Sequence, residues 1–587
     1  MKKTICAFLV ICMMAAMLAG CASAPAEKPA QQTPAAETAE QKAEEVKPAE
    51  EVKPAEDAVP VVESEAPAVK CYNGTFVGSE ENGLLSFKGI PFAKAPVGEL
   101  RWKAPQNVEA SNETFDATSY GKVALQPYAS SEPVSWDPEN MSEDCLTLNI
   151  WTTGKSDAKK PVMFYLHGGA FSYGSAVDTL YSGQYMVEEH PDIVVVNANY
   201  RLGPLGFIDF SGVEGGEKFP TSGYNGLLDQ IEALKWVQQN IEGFGGDPDN
   251  VTIFGESAGA GSVCALLAAE GTEGLFQHAI VQSGGLNFTY THENFAKYDA
   301  ADLLLKKAIA ACVDDLLKLS EEEFFEIYTD ESDGESLSYF SYAPLRGEDS
   351  IIPEDPYQAI LDGAGKDVDL IIGTTADEYN YFVFDLLNPS VEEEGQVLSE
   401  ESKAIFSEYM LDISVGRLIG KCTDEEKESI KEFMALRSDE DEFWQKLALM
   451  TEASFRSPAI IFAENHIKAG GTGKTYMYYF AKRNTRFDWI GASHGCELPY
   501  VFHNFEKEQE LVSGPVIHEL ADQVCGAWAS FAQFADPSCS GVTWPEYSLE
   551  DRETLMFHDD GTVSVENDPL SEARELIVPL MYHYNGL

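Results

Sequence analysis

The residues with the clearest capacity for chemistry lie between Val251 and Ala260. There a β-branched and aromatic run, Val251-Thr252-Ile253-Phe254, meets Gly255-Glu256-Ser257-Ala258-Gly259. A serine between two glycines at a strand-to-helix turn is a nucleophile elbow, which lifts the hydroxyl clear at the helix N-terminus. The glycines follow from that geometry, because a Cβ at Gly255 or Gly259 would strike the neighbouring strand and helix. A serine becomes a nucleophile when a base takes its proton and a third group orients that base. Of the ten histidines, His494 sits in the glycine-flanked loop Gly491-Ala492-Ser493-His494-Gly495, after the strand-like Thr475–Phe480. From such a loop an imidazole can reach across to the end of another strand. The acidic pair Asp377-Glu378 follows the apolar run Leu370-Ile371-Ile372, where an orienting carboxylate is expected, and either residue fits by position. Finally, His167-Gly168-Gly169-Ala170 closes the apolar run Pro161–Leu166 with a turn that lets backbone N–H groups approach a reacting carbonyl.

The elements that must hold these residues are legible from periodicity. Asn225–Ile241 carries apolar residues at helical spacing and ends at the breaker Gly243-Phe244-Gly245-Gly246-Asp247-Pro248; Ala258–Glu270 reads as a second helix. Pro161–Leu166, Ile193–Asn199, Val251–Gly255, Ala279–Ser283 and Val368–Gly373 read as buried strands. Continuous apolar strands alternating with amphipathic helices predict an α/β fold with a mostly parallel sheet covered on both faces. Acid-rich helical stretches, Ala301–Lys318 and one opened by the capping-box pair Ser320 and Glu323, interrupt the pattern.

These motifs, together with Phe87–Ala93, Pro96–Trp102, Ser142–Trp151, Gly491–Tyr500 and Trp544–Tyr547, resemble the type-B carboxylesterases, the cholinesterase-like branch of the α/β-hydrolases. The resemblance spans roughly residues 70 to 585. It implies the α/β-hydrolase fold, helical insertions roofing a gorge over the serine, and the chain order serine, acid, histidine. It assigns the acid to Glu378, although Tyr379 stands where the family usually has glycine, which keeps Asp377 as a competitor. It assigns the base to His494 among the six histidines beyond Glu378. It assigns the oxyanion hole to the N–H groups of Gly169, Ala170 and Ala258, each such donor being worth roughly 2.7 to 4 kcal/mol in the transition state. Where the family often has a third glycine, Ala170 preserves the N–H and narrows the acyl site slightly. Two further residues are candidates for substrate binding. Trp136 lies near the position at which cholinesterases stack a tryptophan on the quaternary ammonium of choline, with spacing about one residue shorter. Glu256 either tunes the field of the gorge or makes a structural hydrogen bond. Family members usually bridge the cysteine of the Glu-Asp-Cys motif to an upstream Cys-x-Gln element. This chain has Ala124-Leu125-Gln126 there, so Cys145 is expected as a buried thiol or as a partner of Cys71, and Cys264 as core.

The 587-residue chain is 44% hydrophobic, enough to bury a large core, and carries 97 acidic against 40 basic residues, a formal charge of -57. Such a field repels phosphates, which argues against nucleic acid and anionic membrane surfaces as partners. It favours solubility or, as the sharper reading, steering of cationic substrates. Met1-Lys2-Lys3, the apolar run Ile5–Leu18 and Leu18-Ala19-Gly20-Cys21 describe a secretory signal that resembles the lipobox of bacterial lipoproteins. The resemblance implies removal of residues 1–20 and lipid on the Cys21 sulfur. Residues 21–69, rich in Ala, Pro, Glu and Lys without aromatics, read as a disordered tether reaching at most on the order of 150 Å, ahead of a catalytic domain over 70–587. Neither metal-ligand spacing nor a phosphate-cradling loop is present, so no metal or cofactor is expected. The expectation is a serine hydrolase of neutral, small to medium carboxylic esters, lipid-anchored outside the bacterial cytoplasm. A choline-ester hydrolase and a catalytically inactive binding protein are the competing readings.

Overall fold

The central strands form where the chain runs apolar on both faces, and most strands join one sheet. In the computed structural model residues 66–127, 138–297, 300–387, 395, 397–505 and 513–584 are described; Cys21, the rest of the signal, residues 21–65 of the tether and Trp136 lie outside them. The strands are β1 (Ala68–Cys71), β2 (Gly74–Val77), β3 (Ser79–Glu81), β4 (Leu84–Pro91), β5 (Thr114–Asp116), β6 (Thr147–Thr152), β7 (Lys160–Leu166), β8 (Val194–Ala198), β9 (Gly246–Glu256), β10 (His278–Gln282), β11 (Asp369–Thr375), β12 (Thr475–Phe480), β13 (Glu553–Phe557) and β14 (Val563–Asn567). β1, β2 and β5 make a small sheet, and the others make a large one in the order β14-β13-β12-β11-β10-β9-β7-β8-β6-β4-β3. Its centre, from β13 to β8, is parallel, and its flanks are antiparallel. This is the expected α/β-hydrolase architecture.

Alternation within single strands explains how both faces are covered. In β7, Val162, Phe164 and Leu166 join one core cluster with Val263, Leu266 and Leu267 of the helix Ala258–Ala268. Met163 and Tyr165 join a second cluster with Val524, Trp528 and Phe531 of the helix His518–Phe534. Side chains of period two thus feed two helical layers. Register then lines up the strand ends: Leu166 pairs with Gly255, Glu256 with Gln282, and Gln282 with Gly373. The loops leaving β7, β9, β11 and β12 therefore emerge at one edge, the carboxyl edge where open α/β sheets place their sites.

Several boundaries differ from the sequence reading. β1 starts at Ala68, two residues ahead of the expected domain start, because its backbone pairs with β2. β9 starts at Gly246, inside the presumed breaker, where Lys160 pairs with Gly246. Ala301–Lys318 is not one helix: Ala300–Ala308 ends as Ile309 turns left-handed at φ 53°, and a short helix resumes at Val313–Leu316. The Ser320–Glu323 capping box forms as expected. The alternative pairing of Cys145 with Cys71 is corrected, since both are buried free thiols, as is Cys264. No helix among the described residues is long and apolar enough to cross a membrane.

Candidate active site

The elbow is built as the glycines require. Ser257 has φ 58° and ψ -121°, a sparsely populated conformation that persists only when neighbours over-determine it. Its N–H donates to the Gln282 carbonyl at 3.0 Å and its carbonyl accepts from Gly261 N–H at 2.9 Å. A Cβ on Gly255 would lie 2.6 Å from the Gly259 carbonyl carbon, and one on Gly259 would overlap the Leu166 carbonyl. The strand and helix therefore close on the turn too tightly for any larger residue.

The acid and the base arrive from β11 and from the loop after β12. Glu378 is fully buried. Its Oε1 accepts from Thr375 N–H at 2.8 Å, and its Oε2 lies 2.6 Å from His494 Nδ1. His494 Nε2 faces the residue before the serine, with Glu256 Oε1 at 3.0 Å. Asp377 points elsewhere, accepting from Ala492 N–H at 2.9 Å. Of the two acids that fit by position, the fold therefore turns Glu378 to the imidazole.

Peptide planarity orients the Gly168–Ala170 turn. His167 Nδ1 lies 2.8 Å from the Gly168 carbonyl, and Ser172 and Tyr173 both donate to the Gly169 carbonyl, at 2.9 and 3.0 Å. In a trans peptide the N–H opposes the carbonyl, so the N–H groups of Gly169 and Ala170 point away from those partners. Neither of these groups, nor Ala258 N–H at the helix start, meets an acceptor among the described residues. The turn is held left-handed, with φ of 103° at Gly169 and 49° at Ala170. A Cβ at Gly168 would sit 3.1 Å from Ser257 Cβ, which puts this turn against the elbow. Burial lowers the His167 imidazole to about 4, so it stays neutral and Nδ1 keeps the proton it donates. Gln126, in the position of the lost Cys-x-Gln element, exchanges two hydrogen bonds with Gly174 and braces the turn from behind.

With this geometry established, comparison decides the family: residues 65–574 match the carboxylesterase family. The chain belongs to the carboxylesterase family. It is 35% identical over 519 residues to the para-nitrobenzyl esterase of Bacillus subtilis (strain 168), covering 86% of this chain and 97% of that one. It is 30% identical over 502 residues to the acetylcholinesterase of Bungarus fasciatus, covering 81% and 79%. The crystal structure of a Geobacillus stearothermophilus carboxylesterase superposes with a TM-score of 0.72 at 32% identity, over 87% of this chain and 99% of that one. The chain is therefore a carboxylesterase, and its reaction is carboxylic ester hydrolysis.

Around His494 this carboxylesterase gathers groups that motif reading did not single out. Glu497, buried, accepts from Gln282 Nε2 at 3.1 Å, and Gln282 in turn accepts from Trp528 Nε1 at 3.1 Å. Glu497 Oε2 has no hydrogen-bond partner among the described residues. Burial, then the Glu378 charge, pushes the Glu497 carboxyl up to about 7. Burial also pulls the His494 imidazole down, but the carboxylates of Glu256, Glu378 and Glu497 outweigh it and hold the group up at about 9. An acid three residues past His494, inside the apolar Cys496–Tyr500, was the available signal for Glu497. Aromatic rings wall the imidazole: Phe455 at 4.9 Å, and Tyr381 and Phe382 each at 5.9 Å between ring centroids. Phe455 comes from the π-helical turn Glu452–Arg456, whose contribution depends on long-range packing rather than on any local motif.

Proposed function

We propose that this carboxylesterase works through a Ser257–His494–Glu378 triad and an acyl-enzyme on neutral, small to medium carboxylic esters. The observation that carries the reading is the 2.6 Å contact of Glu378 Oε2 with His494 Nδ1, which leaves Nε2 turned toward the Glu256–Ser257 turn. In the reaction His494 Nε2 takes the Ser257 Oγ proton as Oγ bonds to the substrate carbonyl carbon. The oxyanion is met by the N–H groups of Gly169, Ala170 and Ala258. His494 returns the proton to the departing alkoxide, then removes one from water, whose oxygen bonds to the acyl carbon, and passes that proton to Ser257 Oγ as the acyl–Oγ bond breaks and the acid leaves. The preference for neutral esters is supported by the aromatic walls and by three buried carboxylates that disfavour anionic substrates. A second reading, cationic esters, draws on the same carboxylates, Glu256 above all. The ratio of turnover on neutral and quaternary-ammonium esters separates the two.

A fluorophosphonate tag mapped by peptide mass tests the triad: the adduct is expected on Ser257, and an adduct elsewhere refutes it. Ser257→Ala should remove the nitrophenol burst from a short acyl ester, lowering kcat by about 10⁴-fold or more. An absence of turnover across a varied ester panel would instead favour an inactive binding protein. We also propose that Leu18-Ala19-Gly20-Cys21 directs lipid attachment at Cys21, anchoring the enzyme outside the bacterial cytoplasm, since two or more acyl chains suffice for stable anchoring. Cys21→Ala should release activity from the membrane fraction; activity that stays there contradicts the anchor.

A further inference from the structure

Asp377 is bound to the histidine loop at two points. Its N–H donates to the Ala492 carbonyl at 2.8 Å, and its Oδ2 accepts from Ala492 N–H at 2.9 Å. One residue further on, His494 N–H approaches the Glu378 carbonyl at 3.4 Å. The acid turn and the histidine loop thus run side by side, with Asp377 facing Ala492 and Glu378 facing His494. Gly491 is shaped by the same contact: it turns left-handed at φ 68°, and a Cβ there would run into the Asp377 carboxylate. Behind Asp377 lies a cavity of about 220 Å³ lined by Asn380, Arg437, Trp444, Arg483 and Trp489, with Arg483 Nη1 3.7 Å from Asp377 Oδ2. Arg437 is committed to Glu440 through two hydrogen bonds of 2.8 Å. Burial raises the Asp377 carboxyl while the Ala492 N–H and Arg483 pull it back.

We propose that Asp377 is a positioning residue whose carboxylate oxygen, by accepting from Ala492 N–H, fixes where the loop presents His494 to Glu378 and to the elbow. This rests on the reading of His494 as the base. Ala492 is two residues from His494, and each extended residue spans at most about 3.6 Å, so loosening Ala492, which then keeps only its carbonyl bond to the residue 377 N–H, lets the imidazole shift on the scale that proton transfer cannot tolerate. A misplacement of about 1 Å costs roughly 100-fold in rate.

The test compares Asp377→Ala with Asp377→Asn, whose amide oxygen can still accept from Ala492. On a nitrophenyl ester, Asp377→Ala should lower kcat about 100-fold with KM within roughly twofold, and fluorophosphonate labelling of Ser257 should slow in proportion. The rising limb of its pH–rate profile should move down toward the ordinary histidine value of about 6.5 as the imidazole leaves the carboxylates. Asp377→Asn should recover most of kcat and restore the limb, while thermal unfolding verifies that each variant is folded. Unchanged kcat in Asp377→Ala overturns the proposal, as does a loss that Asp377→Asn fails to rescue. Failure of the triad itself reads out separately, as activity surviving in Ser257→Ala or His494→Ala.

Discussion

Two buried charge clusters in this molecule are built on opposite plans. In the first, Arg201 makes a bidentate pair with Asp229 at 2.8 and 2.7 Å, its third arm reaches the Lys103 carbonyl, and Asp229 also accepts from Arg201 N–H. Arg101 likewise forks onto Glu143, and its remaining donors reach the Leu316 and Leu319 carbonyls. Charge balances charge, and the guanidinium arms are matched to geometry. In the second, three carboxylates, Glu256, Glu378 and Glu497, surround one imidazole, and Glu497 Oε2 and His494 Nε2 are left without hydrogen bonds among the described residues. The first cluster ties loops to the core. The second is under-satisfied, and an under-satisfied buried group is one whose proton can move. Both draw on motifs that carried the family resemblance, so membership of a motif does not by itself separate a strut from a reacting group.

The contrast can be broken from either side. Asp229→Ala leaves Arg201 buried without its partner and should cost about 3 to 5 kcal/mol in urea unfolding, with kcat per folded molecule little changed. A large loss of kcat at intact stability would show that the pair belongs to the site. Glu256→Gln removes one of the carboxylate charges that favour protonated His494. The rising limb of kcat/KM, expected near 9 from the His494 shift, should fall by roughly 1 to 3 units, and an unmoved limb would exclude Glu256 from the field at the imidazole. The smallest effect concerns Glu497, whose carboxyl is held up at about 7. Because the folded state holds this proton more tightly than the unfolded chain, native stability falls as pH rises from the ordinary carboxyl value toward 7. Glu497→Gln should therefore match the parent near pH 4 and exceed it above pH 7, by a few degrees in Tm. A constant offset across pH would contradict that titration. His494 has the same sign over a higher window: its contribution to stability is complete below about 6.5 and is lost as pH rises through about 9.

What the chain reveals on its own is governed by short range. The serine turn, the glycines flanking it, the His167-Gly168-Gly169-Ala170 turn and the buried strands β7 to β12 were readable because local sterics and period-two burial leave their marks in adjacent residues. Sequence order also narrowed ten histidines to six and the acid to a neighbouring pair. What only the tertiary structure decided depends on segments far apart in the chain. Whether Glu378 or Asp377 faces the imidazole turns on how the β11 turn meets a loop more than a hundred residues away. The choice of a buried thiol for Cys145 over a bridge to Cys71, and the gathering of Glu497, Tyr381, Phe382 and Phe455 around His494, likewise follow from packing between distant segments. Adjacent residues can encode a turn, but a field of three carboxylates and a wall of aromatic rings exist only once the sheet has brought its strand ends to a common edge and the helices carrying Tyr381, Phe382 and Phe455 have packed over it.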